Sequence, residues 1–318
     1  KKVFGTLAVI VPVLNESRHV EFLLDSFRKL DKVLRPQGVI PRLVIADDGS
    51  SDGCFGQFLA GCRKEKVYSL LIRLRRNFGK DRAVQAVLTE VEADAYVIVD
   101  ADQQTPMSLI PEMIDLMRRK GVDLVNGVKK REPYGFFRKL MTYVFFRVAR
   151  MLSIREFRRG YSDFILFSRV VRDSLTALPE KEFVVRSMIY WFQFSEADLE
   201  YTPGKAAASR FSLFRLFSMA VKSLVTFSNF LRINFVLASI YWAGSLIYAA
   251  VILYNKLSGR IVTGLSSTLL LMLVSFGVLF FMIAIIGEIL QIIFTEIKSR
   301  PGYFIEQVER VEGSSDAG

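Results

Sequence analysis

The stretch "AYVIVDADQQTP", residues 95–106, sets an apolar run directly against two carboxylates. Tyr96–Val99 is short, rich in β-branched side chains and uncharged, the pattern of a strand buried on both faces. It ends in Asp100-Ala101-Asp102, where two like charges one residue apart repel each other. A divalent cation removes that conflict. Hard ions such as Mg2+ or Mn2+ take oxygen ligands, and Mg2+ is commonly held by one or two carboxylates together with substrate phosphates. Asp100 and Asp102 are therefore the candidate metal ligands.

Outward from this stretch, Leu7–Val13, Arg42–Ala46, Ser69–Leu74 and Leu124–Val128 have the same strand character. Amphipathic segments at Val20–Leu34, Phe55–Arg63, Arg82–Glu92 and Leu109–Lys120 lie between them. This alternation predicts an α/β domain with a Rossmann-like, mostly parallel, doubly wound sheet. Such sheets bind ligands beyond the carboxyl ends of their strands. The unusual polar clusters fall there: "NES" at 15–17, "DDGSSDG" at 47–53, "RRNFGKD" at 75–81 and "DADQQTP" at 100–106. Asp47 and Asp48 suit a base edge or ribose hydroxyls, or alternatively cap the next helix. "RNFGK" offers Gly79 and Lys80 to a phosphate. It is not a P-loop, because no Gly lies five residues before Gly79 and Asp81 stands where Ser or Thr is required.

The chain has 318 residues, a net charge of +11 and 51% hydrophobic residues. No charge occurs from Ile233 to Tyr254 or from Leu265 to Ile286. Each stretch exceeds the roughly 20 residues that span a bilayer, the alternative being a pair of buried core helices. A short segment, "NKLSGRIVTG" (255–264), separates them, so the rest lies on one side. Arg210, Arg215, Lys222, Arg232, Lys298 and Arg300 flank the pair and place that side in the cytoplasm. No signal peptide is expected, since "LAVIVPV" is short and broken by Pro12. Basic, Phe-rich helical patterns at about 136–152 and at 211–231 suit the headgroup layer, although the first would also pack as a core helix. The basic charge is thus assigned to membrane lipids, with no nucleic acid as partner. His19 is the only histidine, which excludes multi-His metal sites and fits a surface position at a helix start. Cys54 and Cys62 match no zinc or redox spacing and are expected to be inert thiols. The end, "EGSSDAG", is expected to be unstructured.

Taken together, these motifs resemble the polyprenyl-phosphate glycosyltransferases of glycosyltransferase family 2, a group that includes dolichyl-phosphate mannose synthase and bacterial undecaprenyl-phosphate glucosyltransferases. The shared elements are "VIVPVLNES" with Pro12, Asn15 and Glu16, then D-D-G-S at 47–50, R-N-x-G-K at 76–80 and D-A-D-x-Q-x-P at 100–106. "SDF" at 162–164 stands for the family's G-D-F, "SRFS" at 209–212 for its S-K-aromatic-S, and "IGEILQIIFTEIKSRPGYFI" matches its last span and tail. The resemblance implies a GT-A fold at 1–210, a juxtamembrane helix at 211–231, a transmembrane pair at 232–294 and a cytoplasmic tail at 295–318. It also implies inverting transfer of one sugar from a nucleotide-diphosphate sugar to a polyprenyl phosphate at the inner membrane.

By the same resemblance, Pro12, Asn15, Glu16, Asp47, Asp48, Lys80 and Gln104 line the nucleotide-sugar site. Asp100 and Asp102 hold Mg2+ or Mn2+, and Asp163 lies near the reacting centre. Arg210 and Lys205 are candidates for the acceptor phosphate, and Lys129 is the basic residue after the fifth strand. The pattern departs from the family at Met107, Lys129, Ile165 and "GKAA" (204–207), around the meeting point of sugar and acceptor. Those departures touch donor identity most: a UDP-hexose is favoured, with GDP-mannose as the alternative. A processive synthase is disfavoured by the missing Q-x-x-R-W, and a catalytically weak lipid-binding scaffold is the rival from another class. Homo-oligomerisation is left open.

Overall fold

The structure is a computed structural model. It describes residues 4–102, 105–130, 161–178, 183–202, 264–298 and 301–313, with scattered helical positions between 244 and 258. The chain divides into two compact units, one of residues 1–133, 158–210 and 300–318 and the other of 134–157 and 211–299.

The first unit is built on an eight-stranded sheet. Its strands are β1 (Thr6–Val13), β2 (Ile40–Asp47), β3 (Ser69–Leu74), β4 (Ala95–Ile98), β5 (Leu124–Lys129), β6 (Tyr161–Ser168), β7 (Glu196–Tyr201) and β8 (Ile305–Val311). They lie in the order β7-β5-β6-β4-β1-β2-β3-β8. Helices α1 (Val20–Leu34), α2 (Cys54–Glu65), α3 (Lys80–Glu90), α4 (Ile110–Lys120), α5 (Arg169–Ala177) and α6 (Val185–Phe192) cover its faces. The pleat of β1 shows why its run is apolar throughout. Leu7, Val9, Val11 and Val13 enter a core with Leu23, Phe27, Phe58 and Met113, while Ala8 and Ile10 enter the opposite one with Ala83, Val87, Val171 and Ile189. Burial on both faces removes the polar alternation of a half-exposed strand. Helix α1 shows the other period, burying Val20, Leu23, Leu24, Phe27, Leu30 and Leu34 at helical spacing. Each such side chain contributes roughly 1.5–3 kcal/mol when fully buried.

The sheet is mixed. Strand β1 pairs in parallel with β2 and β4, β2 with β3, and β5 with β7. Strand β6 runs antiparallel to both β4 and β5, and β8 antiparallel to β3. The expected parallel core is present, but β6, β7 and β8 lie beyond the strands expected from sequence. Ile305–Val311 is not a trailing segment: it is the edge strand beside β3. After β1 the chain steps outward to β2 and β3, then returns to β4 on the other flank of β1. This reversal makes a switch point between β1 and β4, the place where open α/β sheets bind their ligands.

In the second unit, helix α7 runs unbroken from Leu265 to Ile297, 33 residues, and contains the second expected span. Counting only described residues, no helix is long and apolar enough to cross a membrane. The first expected span is described only at isolated helical positions such as Tyr248 and Val251. The expected headgroup helices at 136–152 and 211–231 lie outside the described residues.

Candidate active site

The register of β4 against β6 brings the two acidic motifs together. Ala95 faces Ser168 and Ile98 faces Ile165, so continuing that antiparallel register two residues sets Asp100 opposite Asp163. One carboxylate comes from the carboxyl end of a parallel strand and the other from the start of an antiparallel one. Lys80, the first residue of α3, lies between them. Its Nζ donates to Asp100 Oδ1 in a short contact and to Asp163 Oδ2 at 2.8 Å. Asp163 also receives Arg186 on its other oxygen, Nη2 to Oδ1 at 3.0 Å. Burial alone would raise the Asp163 carboxyl. The positive charges of Lys80, Arg186 and Lys129 outweigh it and hold the group below the ordinary carboxylate value. Burial opposes the Lys80 ammonium, and the two carboxylates reverse that and raise it.

The loops after β2 and β3 form the other half of the rim. Asp48 is 3% exposed and accepts the backbone N–H of Phe78 at 2.7 Å and of Gly79 at 2.9 Å. The D-D-G-S turn therefore grips R-N-x-G-K directly. Gly49 makes that approach feasible: it has φ +74°, and a Cβ there would lie 2.5 Å from the Arg76 carbonyl carbon. Asp47 is fully buried, and its Oδ1 accepts the Ser50 N–H at 3.0 Å. Its Oδ2 has no hydrogen-bond partner among the described residues, and the Arg73 Nε lies 3.6 Å away. Burial raises both Asp47 and Asp48, against the hydrogen bonds each accepts. The capping alternative fails for both, since Asp52 takes the Cys54 N–H at the start of α2 at 3.0 Å.

Of the remaining residues expected in the site, Asn15 sits at φ +57°. It joins the loop after β1 to the D-D-G-S turn, donating its N–H to Ser50 Oγ and accepting the Ser51 N–H on Oδ1, both at 2.9 Å. Glu16 is paired with His19 at 2.7 Å, so the histidine is half-buried and engaged. Pro12 is half-buried near the end of β1, opposite Ala46. Asp102 follows β4 and is half-buried. Gln104, Lys205 and Arg210 lie outside the described residues. Cys54 and Cys62 are free and buried, as inert thiols should be.

Three residues not anticipated from sequence complete the constellation. Arg186 is the one charged residue in the apolar run "FVVRSMIYWFQF" (183–194), a signal open to sequence inspection. Asp81 accepts the Val185 N–H at 3.3 Å and so ties the start of α6 to the start of α3. Arg73 donates to the Ser50 carbonyl at 3.1 Å and lies 3.4 Å from Glu306 of β8. That bridge has no local sequence signal, because more than two hundred residues separate its ends.

Among the described residues no three His, Cys, Asp or Glu side chains cluster as a closed metal cage. Two carboxylates at an open rim match instead an ion that completes its coordination with substrate oxygens. A cation already lies on Asp100, in the form of the Lys80 ammonium.

The chain is similar to known proteins. The family described as glycosyl transferase family 2 matches residues 8–176. A prophage-derived bactoprenol glucosyl transferase of Shigella flexneri is 27% identical, covering 96% of this chain and 98% of that protein. A prophage bactoprenol glucosyl transferase homolog of Escherichia coli K12 is 26% identical, covering 96% and 99%. Among solved structures, glucosyl-3-phosphoglycerate synthase of Mycobacterium tuberculosis, crystallised with Mn2+, UDP and phosphoglyceric acid, shares the fold. Its TM-score is 0.51 at 20% identity, over 70% of this chain and 77% of that one. With its mixed GT-A-like sheet, its D-A-D loop and this family match, the chain belongs to glycosyltransferase family 2 and is a glycosyltransferase.

Proposed function

We propose that the chain moves one hexose from a UDP-sugar to a polyprenyl phosphate, with inversion at the anomeric carbon, on the cytoplasmic face of the inner membrane. The observation that carries the reading is Lys80, bridging Asp100 of the D-A-D loop and Asp163 opposite it. In this reading that cation stands between the half of the site that takes the donor diphosphate and the half that takes the acceptor. The near-full-length likeness to bactoprenol glucosyl transferases supports the lipid acceptor and a glucosyl donor.

In this reading Asp48 fixes the R-N-x-G-K loop by two backbone hydrogen bonds, and that loop delivers Lys80. Asp100 and Asp102 would hold the divalent ion, which when bound neutralises charge on the departing diphosphate. The bond from the anomeric carbon to the diphosphate oxygen breaks as one to an acceptor phosphate oxygen forms. By analogy with phosphorylated side chains, that phosphate has a second pKa near 6 and is largely a dianion at neutral pH. No proton has to be removed from it. Asp163 suits such chemistry: held ionised by two cations, it organises positive charge and does not act as a base.

Helix α7 supports a membrane location. Leu265, Met272, Phe276, Phe280, Phe281, Ile286 and Phe294 are all exposed, an apolar surface that water does not favour.

The test combines purified full-length protein, Mg2+, a polyprenyl phosphate and a panel of UDP- and GDP-sugars, with mass spectrometry of the lipid product. A polyprenyl-phosphate hexose formed from one UDP-sugar is expected. Hydrolysis of donor without any lipid product, or no turnover of any donor, would overturn the reading.

A further inference from the structure

We propose that Arg186 receives the acceptor's phosphate and that Asp163 is the positioning residue that holds it there. The inference rests on the polyprenyl-phosphate reading and deepens it. Asp163 divides its two oxygens between two cations, Oδ2 for Lys80 and Oδ1 for Arg186. Lys80 is engaged on its other side by Asp100 and so belongs to the D-A-D loop and the donor. Arg186 approaches from the opposite oxygen, on a different element, the second residue of α6.

The cluster is open enough for a ligand. Asp163 keeps 50% of its side chain exposed and Arg186 27%. The Arg186 Nε is buried without a hydrogen-bond partner, so among the described residues the guanidinium is held through Asp163. A guanidinium presents planar paired donors that fit phosphate oxygens, where an ammonium acts as a point charge. Its placement is coupled to the donor side: Asp81, next to Lys80, accepts the Val185 N–H that precedes Arg186. An incoming phosphate dianion needs a cation not shared with Asp100; Arg186 meets that need, and Lys129 adds its charge near Asp163. In the transfer, an acceptor phosphate oxygen bonds to the anomeric carbon while the diphosphate leaves with its electron pair.

The experiment uses full-length protein in detergent with Mg2+, UDP-glucose and undecaprenyl phosphate. Arg186→Ala should raise the apparent KM for the lipid phosphate tenfold or more and leave that for UDP-glucose within twofold. Arg186→Lys should recover part of the loss, and calorimetric affinity for UDP with Mg2+ should match wild type in both variants. Donor and acceptor KM rising together, or loss of UDP affinity, would assign Arg186 to scaffolding and overturn the inference. If Arg186→Ala does not fold, Arg186→Lys carries the test: an unchanged acceptor KM there defeats a role for the fork. Failure of wild type to glycosylate any polyprenyl phosphate would defeat the functional reading itself, whereas transfer by wild type with an unaltered acceptor KM in Arg186→Ala defeats this inference alone.

Discussion

The two halves of the rim hold their carboxylates by different means. On the β2–β3 side, Asp47 and Asp48 are buried, bound to backbone N–H groups and pushed upward in pKa by burial. On the β4–β6 side, Asp100 and Asp163 are partly open and bound to side-chain cations, and Asp163 is held down in spite of its surroundings. Backbone donors cannot leave, so the first half is a fixed mould. Side-chain cations can exchange one anion for another, so the second half is ready to reorganise around arriving phosphates. Acid at one rim thus serves shape, and at the other it serves charge.

The largest test of this contrast is Asp102→Asn. On the charge side, loss of one carboxylate should lower turnover at saturating Mg2+ at least hundredfold, about 2.7 kcal/mol at 1.36 kcal/mol per factor of ten. Sugar transfer measured within tenfold of wild type would show that this half does not work through a metal. The corresponding blow to the mould is Gly49→Ala. Positive φ and contact with the Arg76 backbone should cost about 1–3 kcal/mol of stability. It should also raise the KM for the nucleotide sugar more than that for the lipid, and thermal unfolding with paired KM measurements reads both. A variant as stable as wild type would mean that the two loops are not pressed together.

Asp163→Asn probes the charge side more gently. Because Asp163 lies below the ordinary carboxylate value, it is ionised throughout the neutral range and should contribute no ionisation to the pH–rate profile there. The variant should lose roughly tenfold in rate, about 1.4 kcal/mol, yet keep the acid limb near pH 6 that belongs to the acceptor. Disappearance of that limb would make Asp163 a base.

The smallest effect is expected from Asp47→Asn. A carboxyl whose folded pKa is raised binds its proton more readily in the folded than in the unfolded chain, so wild type loses stability as pH rises from the unfolded value near 3.8 through the raised one. Asn keeps an oxygen for the Ser50 N–H and has no charge to bury. The variant should be more stable at pH 7 by on the order of 1 kcal/mol or less, and the difference should vanish towards pH 4. Equal melting temperatures across that range would show that Asp47 is paired better than its geometry indicates.

Legibility in the sequence followed the range of the interactions. Val20–Leu34 and Ser69–Leu74 were readable to the residue because helix period, pleat and apolar run are local properties. Asp100, Lys80 and Asp48 stood out because charged side chains at strand ends are improbable without a ligand. That Asp100 faces Asp163 was not readable. It depends on a register between β4 and an antiparallel strand some sixty residues later. Arg186 was visible as a lone charge in an apolar helix, but its partner was not, because only the packed fold brings α6 over the start of α3. Strand β8 was hidden by its composition: "IEQVERV" alternates weakly and carries two acids and a base, as suits a sheet edge.

That edge strand bears on how the catalytic unit can be produced alone. Cutting the chain ahead of its apolar segment, the ordinary route to a water-soluble fragment, would remove Ile305–Val311 and leave one side of β3 with unpaired N–H and C=O groups. A bare edge recruits strands from neighbouring copies and drives aggregation. Arg73 would lose Glu306 in the same cut. A tractable fragment would instead carry residues 301–313 rejoined to the body by a flexible linker, so that the last strand of the chain still closes the sheet opened by the first.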